Sequence, residues 1–209
     1  LYVRLNKWGT QTPIEFQQAY ADHASEGVER ILLDLRDNGG GYLQAATTLA
    51  SEFLSKGDLL VYNQGAHYPR EDFKCPRDGR LRNVPLTVLV NENSASASEI
   101  FAGAMQDLDR ALIVGRRTFG KGLVQLPFEL RDHSVVRLTV ARYYTPSGRS
   151  IQKSYAKGYE AYAEDIEDRY LHGELYSADS ISRPDTTRYY TRLGRTVYGG
   201  GGITPDIFT

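Results

Sequence analysis

The sequence predicts an α/β domain built on a largely parallel sheet, and three observations carry that expectation. Short apolar runs alternate with helical patterns through the first two-thirds of the chain. Ile31-Leu32-Leu33 is continuously apolar, as strands covered on both faces are, and Pro85-Leu-Thr-Val-Leu-Val90 reads as a further buried strand. Each leads through small residues into a helical repeat, the order of a right-handed βαβ crossover.

Taken in order, residues 2–6 read as a strand. Thr12, Pro13, Ile14 and Glu15 then have the spacing of a capping box with proline at the first helical position, opening a helix that runs to about Ala24. Residues 29–36 hold the first buried strand, and Asn38-Gly39-Gly40-Gly41 turns the chain. Ala46, Leu49, Ala50, Phe53 and Leu54 follow at helical spacing within residues 42–55. A strand at 59–63 precedes a polar excursion at 64–84, expected as a surface loop or lid. After the strand at 85–90 comes a helix from about Ser96 to Asp107, with Ile100, Phe101, Ala104 and Met105 on one face. Another strand occupies 111–115. Val124, Leu126, Phe128 and Leu130 alternate with polar residues, as do Val136, Leu138 and Val140, so a hairpin turning at 131–134 is predicted.

Beyond residue 145 the pattern loosens, which divides the chain into a core at 1–149 and an extension at 150–209 that packs on it. Tyr155, Tyr159, Tyr162, Ile166 and Tyr170 predict a helical stretch over about 159–172 whose amphipathic face lies on the domain. A tyrosine stripe lining a peptide groove is the alternative. Residues 176–196 are polar and irregular, and the glycines at 199–202 suit a flexible link or a tight backbone crossing.

Composition narrows the function classes. The 209 residues are 41% hydrophobic and 24% charged, enough to bury a core without disulfides or a structural metal. A net charge of -1 removes the electrostatic case for a nucleic-acid or membrane-surface protein. No apolar run approaches the roughly 20 residues of a membrane span. Cys75 has no partner for an internal disulfide, and His23, His67, His133 and His172 lie too far apart for a zinc site. The chain opens on Leu1-Tyr2-Val3 and reads as an excised fragment, which leaves targeting undecided.

Three segments could carry chemistry, each beside an inert reading. Asn93-Ser94-Ala95-Ser96-Ala97-Ser98-Glu99 joins a buried strand to a helix. A serine there has free amide N–H groups beside it, suited to a developing oxyanion, although Ser96 to Glu99 is also a plain capping box. Serine needs a base, and no histidine stands at a recognisable catalytic turn. Lysine can serve if burial favours its neutral form. Lys121 in Thr118-Phe119-Gly120-Lys121-Gly122 has glycines on both sides that could tuck it inward, or it is an exposed turn residue. Gln125, opposite in face to Val124 and Leu126, could hydrogen-bond its amine. The turn Asp34-Leu-Arg-Asp-Asn-Gly-Gly-Gly41 leaves backbone donors for a carbonyl or an anion. All three lie at carboxyl ends of strands, where open α/β sheets bind ligands. A remote rival is a phosphate-binding loop at Gly115-Arg-Arg-Thr-Phe-Gly-Lys121. It breaks at Gly122, where a hydroxyl should meet magnesium, and at the strand-like residues that follow.

Together these residues resemble the C-terminal processing (tail-specific) peptidases. The resemblance rests on Ser94-Ala-Ser-Ala-Ser-Glu-Ile100 with Ala102-Gly-Ala104, on Gly115-Arg-Arg-Thr-Phe-Gly-Lys-Gly-Leu-Val-Gln125 and on the triple-glycine turn. Ala141-Arg-Tyr-Tyr-Thr-Pro-Ser-Gly148 and Gly202-Ile-Thr-Pro-Asp206 add to it. It implies a serine endopeptidase with a Ser–Lys dyad on a crotonase/ClpP-like core. Ser96, the middle serine, is then the nucleophile, Lys121 the general base and Gln125 its orienting partner, with Gly41 and Ala97 as backbone oxyanion donors. It implies no metal or organic cofactor. Partners would be unfolded or tail-exposed proteins, in the bacterial envelope, the periplasm above all, or the thylakoid lumen, and the family forms suggest a homo-oligomer. An upstream PDZ domain is expected in the full-length chain, and nothing in these residues fits one. A catalytically silent relative that binds peptide tails or scaffolds a complex is the alternative.

Overall fold

A computed structural model describes residues 1–183 and 185–209. The first half of the chain forms β1 (Tyr2–Arg4), α1 (Thr12–Ala24), β2 (Ile31–Asp34), α2 (Leu43–Ser51), β3 (Leu59–Gln64) and β4 (Glu71–Lys74). Next come β5 (Leu86–Val90), α3 (Ala97–Asp107), β6 (Ala111–Gly115), β7 (Leu123–Glu129) and β8 (Val135–Tyr144). The extension adds α4 (Gly158–Ala163), α5 (Asp165–Leu171), β9 (Tyr189–Tyr190), β10 (Thr196–Val197) and β11 (Ile207–Phe208).

The continuous apolar runs lie in a parallel sheet of order β1-β2-β5-β6-β11, as their pattern requires. A second, antiparallel sheet has the order β4-β3-β8-β7. The strand at 59–63 therefore leaves the parallel sheet and joins the hairpin. The polar excursion at 64–84 is only partly loop, because Glu71–Lys74 pairs with β3.

Helix α3 is clasped between the two sheets and α2. All of its residues are buried, where the sequence pattern indicates a single apolar face. Small side chains make this possible: a Cβ on Gly103 would stand 2.8 Å from Thr145 Cγ2. Beside α3 runs an aromatic chain. Trp8 meets Phe101 at 5.5 Å between ring centres, Phe101 meets Phe53 at 6.2 Å, and Phe53 meets Phe16 at 5.8 Å. Cys75 is a buried free thiol whose pKa is raised by burial.

Three expectations need correction. Thr12 is not the cap of α1: Gln11 is, and the Thr12 hydroxyl accepts from Gly9 N–H at 3.0 Å and donates to the Lys7 carbonyl at 3.3 Å. The predicted hairpin forms, but Leu126, Phe128, Leu130, Val136 and Leu138 are exposed. The reason is topological, since β3 pairs only with Arg142, Tyr143 and Tyr144 of β8, and the ribbon beyond has no third strand. The tyrosine-bearing helix is two short helices meeting at Glu164, with Tyr155 outside both.

At the carboxyl end of β2, buried Asp34 accepts from the Arg36 guanidinium at 2.7 Å and the Tyr2 hydroxyl at 2.7 Å. Burial alone would push this carboxyl up, yet the Arg36 and Tyr2 hydrogen bonds hold it at about 2, against an ordinary 3.8. Because the folded value is the lower one, the stabilisation is present above the unfolded pKa and is lost as pH falls through the folded one. The shift corresponds to about 2 kcal/mol at neutral pH. Asp34→Asn is accordingly expected to lower unfolding free energy by about that much at pH 7 and much less near pH 2, measured by urea denaturation at both.

Candidate active site

The turns after β2, β5 and β6 converge at the carboxyl ends of their strands. The first two are cross-linked by short polar side chains. Asn91 Oδ1 accepts from Asp37 N–H at 2.9 Å, and the Asn91 and Asn93 amides donate to Asp37 Oδ1 at 2.8 and 3.1 Å. Asn38 donates to the Leu5 carbonyl at 2.7 Å, and its own carbonyl accepts from Ala95 N–H at 3.0 Å.

Within the serine segment the three hydroxyls differ. Ser94 is buried, accepts from Asn91 N–H at 3.0 Å and donates to the Leu35 carbonyl at 2.8 Å. Ser98 is buried, accepts from the Trp8 indole at 2.9 Å and donates to the Asn38 carbonyl at 2.9 Å. Ser96 is half-buried at the N-cap of α3 with φ 58° and ψ -112°, a conformation a non-glycine residue holds only under strain. The chain after Ser96 thus opens α3 at Ala97.

The glycine turn lies directly against Ser96. A Cβ on Gly40 would stand 2.7 Å from Ser96 Cβ and 3.1 Å from Ala97 N, so only glycine fits. Gly40 N–H donates to Asn38 Oδ1 at 3.0 Å. Gly41 is bridged to Trp8 through its neighbours, with Trp8 N–H on the Gly40 carbonyl and Tyr42 N–H on the Trp8 carbonyl. That pattern turns the Gly41 amide away from Trp8.

Glu99 joins the serine turn to the lysine turn. Its Oε2 accepts from Ser96 N–H and Lys121 N–H, each at 2.8 Å, and its Oε1 accepts from Thr118 Oγ1 at 2.6 Å and Gly120 N–H at 2.7 Å. The Ser96–Glu99 capping spacing is therefore real, but its carboxylate reaches beyond the helix. Complete burial pushes the Glu99 carboxyl up, and the four donors oppose that push. Phe119 N–H adds a further tie to the Ser94 carbonyl at 3.0 Å.

The lysine turn is also held from the extension. Ile203 N–H donates to Thr118 Oγ1 at 2.7 Å, and Thr118 N–H to the Ile203 carbonyl at 3.1 Å. Arg117 forks onto Glu174 at 2.6 and 2.7 Å and donates to the Gly201 carbonyl at 2.8 Å. Arg169 donates to the same Glu174 at 2.8 Å and to the Thr118 carbonyl at 3.1 Å. Burial pushes the Arg169 pKa down; Glu174, which burial would raise, is held low by Arg117 and Arg169. Removing one member of such a buried triad strands the others.

Lys121 and Gln125 both line one cleft of about 460 Å³, together with Gly39, Asn93 and Ala95. The expected inward tuck of Lys121 is not what the structure has, for its side chain is exposed. Nor does Gln125 bond the lysine: its amide lies 3.5 Å from Thr139 Oγ1. The segment Gly115–Lys121 leads into strand β7, so the helix that a phosphate loop requires is replaced by a strand. Phe119, Tyr155 and Tyr162 also line the cleft. The tyrosine spacing carried that signal, whereas the roles of Trp8, Asn38, Thr118 and Glu174 had none.

The sequence model of Peptidase family S41 matches residues 1–161. The chain belongs to peptidase family S41. Among S41 relatives, a chloroplastic C-terminal processing peptidase of Tetradesmus obliquus is 43% identical over 154 residues, 73% of this chain and 32% of its own length. A carboxyl-terminal-processing protease of Picosynechococcus is 41% identical over 152 residues, 73% of this chain and 36% of its own. The solved structure of a photosystem II D1 C-terminal processing protease aligns with a TM-score of 0.67 at 42% identity, over 72% of this chain and 39% of that one. This S41 chain thus spans about a third of the length of those two relatives. No helix among the described residues is long and apolar enough to cross a membrane.

Proposed function

We propose that this S41 chain is the catalytic part of a serine endopeptidase that cuts proteins at or near their C-termini. The observation that carries the reading is the contrast among the three serines. Ser94 and Ser98 are committed to buried hydrogen bonds with other segments, while Ser96 stands half-buried and strained at the start of its own helix, against the Gly40 turn. Ser96 attacks the scissile carbonyl, and neutral Lys121 takes its proton. The tetrahedral oxyanion rests on the Gly41 and Ala97 N–H groups, and Lys121 then protonates the leaving amine. Water completes deacylation through the same base. Protein groups fill every role, so no cofactor enters the scheme.

The exposed Lys121 and the absent Gln125 contact fit a resting geometry, in which substrate seals the cleft, desolvates the amine and aligns Gln125 as its partner. The core is of the crotonase/ClpP-like kind. Unfolded or tail-exposed proteins are the substrates, an upstream PDZ domain captures their tails, and the working compartment is the bacterial envelope.

The test is cleavage of an unfolded protein with an apolar tail by the full-length protein and by its Lys121→Ala form. Cleavage is expected from the full-length protein and is expected to vanish in Lys121→Ala. Binding of the tail without turnover at any pH would replace this reading with that of a silent tail-binding relative.

A further inference from the structure

The cleft brings together unlike residues: Lys121, Gln125 and Gly39 of the glycine turn, and the apolar bodies of Phe119, Leu123, Tyr155 and Tyr162. None of the residues lining it is a carboxylate, and Lys121 is its one cation. Tyr155 and Tyr162 stack at 4.0 Å with planes 11° apart, and Tyr162 meets Phe119 edge-on at 6.2 Å. The three rings therefore make a continuous apolar surface next to the lysine turn.

That surface is braced from behind. Lys153 is buried, with Nζ 4.1 Å from the Phe119 ring centre and 4.3 Å from that of Tyr162. The same amine pairs with Asp165 of α5 at 3.0 Å. Lys153 N–H donates to the Gly120 carbonyl at 2.9 Å, and Gln152 Oε1 accepts from Gly122 N–H at 2.8 Å. The brace thus grips both residues that flank Lys121. Tyr162 and Asp165 lie beyond the stretch matched by the family.

We propose that Phe119, Tyr155 and Tyr162 form a specificity subsite that receives an apolar substrate side chain next to the scissile bond, with Lys153 as its positioning residue. This rests on the peptidase reading. An aliphatic side chain fills the aromatic wall and displaces water from around Lys121. An acidic one would be desolvated against the rings and would pair with Lys121, removing the base.

The test uses two quenched peptides of the full-length protein's assay, identical except for a central Leu-Leu or Ala-Ala pair. Wild type is expected to favour the Leu-Leu peptide in kcat/KM by about tenfold or more. The Tyr155→Ala, Tyr162→Ala double variant is expected to lose that preference, its kcat/KM falling further on the Leu-Leu peptide than on the Ala-Ala one. Tyr162→Phe keeps the ring and is expected to keep the preference. Lys153→Met is expected to raise KM for the Leu-Leu peptide with kcat little changed. A second arm measures binding of both peptides to the Ser96→Ala form by fluorescence anisotropy. A preference in Kd that disappears with the tyrosines, in a protein whose wild type cuts neither peptide, would support the subsite and remove the peptidase reading. No preference in wild type, or equal losses on both peptides, would overturn the subsite.

Discussion

Ser96→Ala is expected to lower kcat by about 10⁴–10⁶ at a stability cost no larger than the loss of a helix cap, about 1 kcal/mol. The Ser96 side chain is engaged only in the capping box at the start of its own helix, so its loss strands no group of another segment, and alanine keeps the Cβ that touches the glycine turn. The neighbouring serines should behave in the opposite way. Ser94→Ala strands Asn91 N–H and the Leu35 carbonyl, and Ser98→Ala strands the Trp8 indole and the Asn38 carbonyl. Each should cost about 1–3 kcal/mol in urea denaturation and far less in turnover than Ser96→Ala. Unfolding and cleavage assays on the three variants therefore form a double dissociation. Full activity in Ser96→Ala, with collapse in either neighbour at unchanged stability, would move the nucleophile.

Glu99→Ala is expected to cost about 3–5 kcal/mol in stability and most of the cleavage activity. Four donors from two turns share this one carboxylate, and alanine leaves all four buried without an acceptor. Glu99→Gln is the sharper probe. Its amide offers an oxygen to one pair of donors and an NH₂ to the other, so one of the turns is pushed away at nearly constant volume. Turnover should fall more than substrate affinity, since what is lost is the mutual placement of Ser96 and Lys121 rather than the cleft wall. A Glu99→Gln protein as stable and as active as wild type would show that the carboxylate does not tie the two turns.

How much of this was legible in the residues follows from range. The buried strands, the β5–α3 turn and the hairpin were written in local periodicity and turn chemistry. The S41 membership was written in the serine, lysine and glycine segments. Strand β3 was legible as a strand, but its place in the antiparallel sheet was not, because an apolar run reports burial and not its partner. Glu99 was visible as a capping residue three positions after Ser96, but its reach to Thr118, Gly120 and Lys121 is a product of tertiary packing. Tyr155 and Tyr162 had a spacing that suited either a packed helix or a lined groove, and no local signal separates those. The buried Arg117–Glu174–Arg169 triad left no pattern in the sequence, because ion pairs across distant segments have no period.

Because Arg117 and Thr118 are seated by Gly201 and Ile203, a chain still on the ribosome can carry Ser96 and Lys121 without the contacts that set the lysine turn. Translation delivers those residues last among the parts of the site. An enzyme whose proposed substrates are unfolded chains would find its own nascent copies the nearest ones at hand. Seating the lysine turn on a segment made later in translation makes the site depend on that segment, so a copy that stops short of Gly201 is spared by a site that does not yet exist.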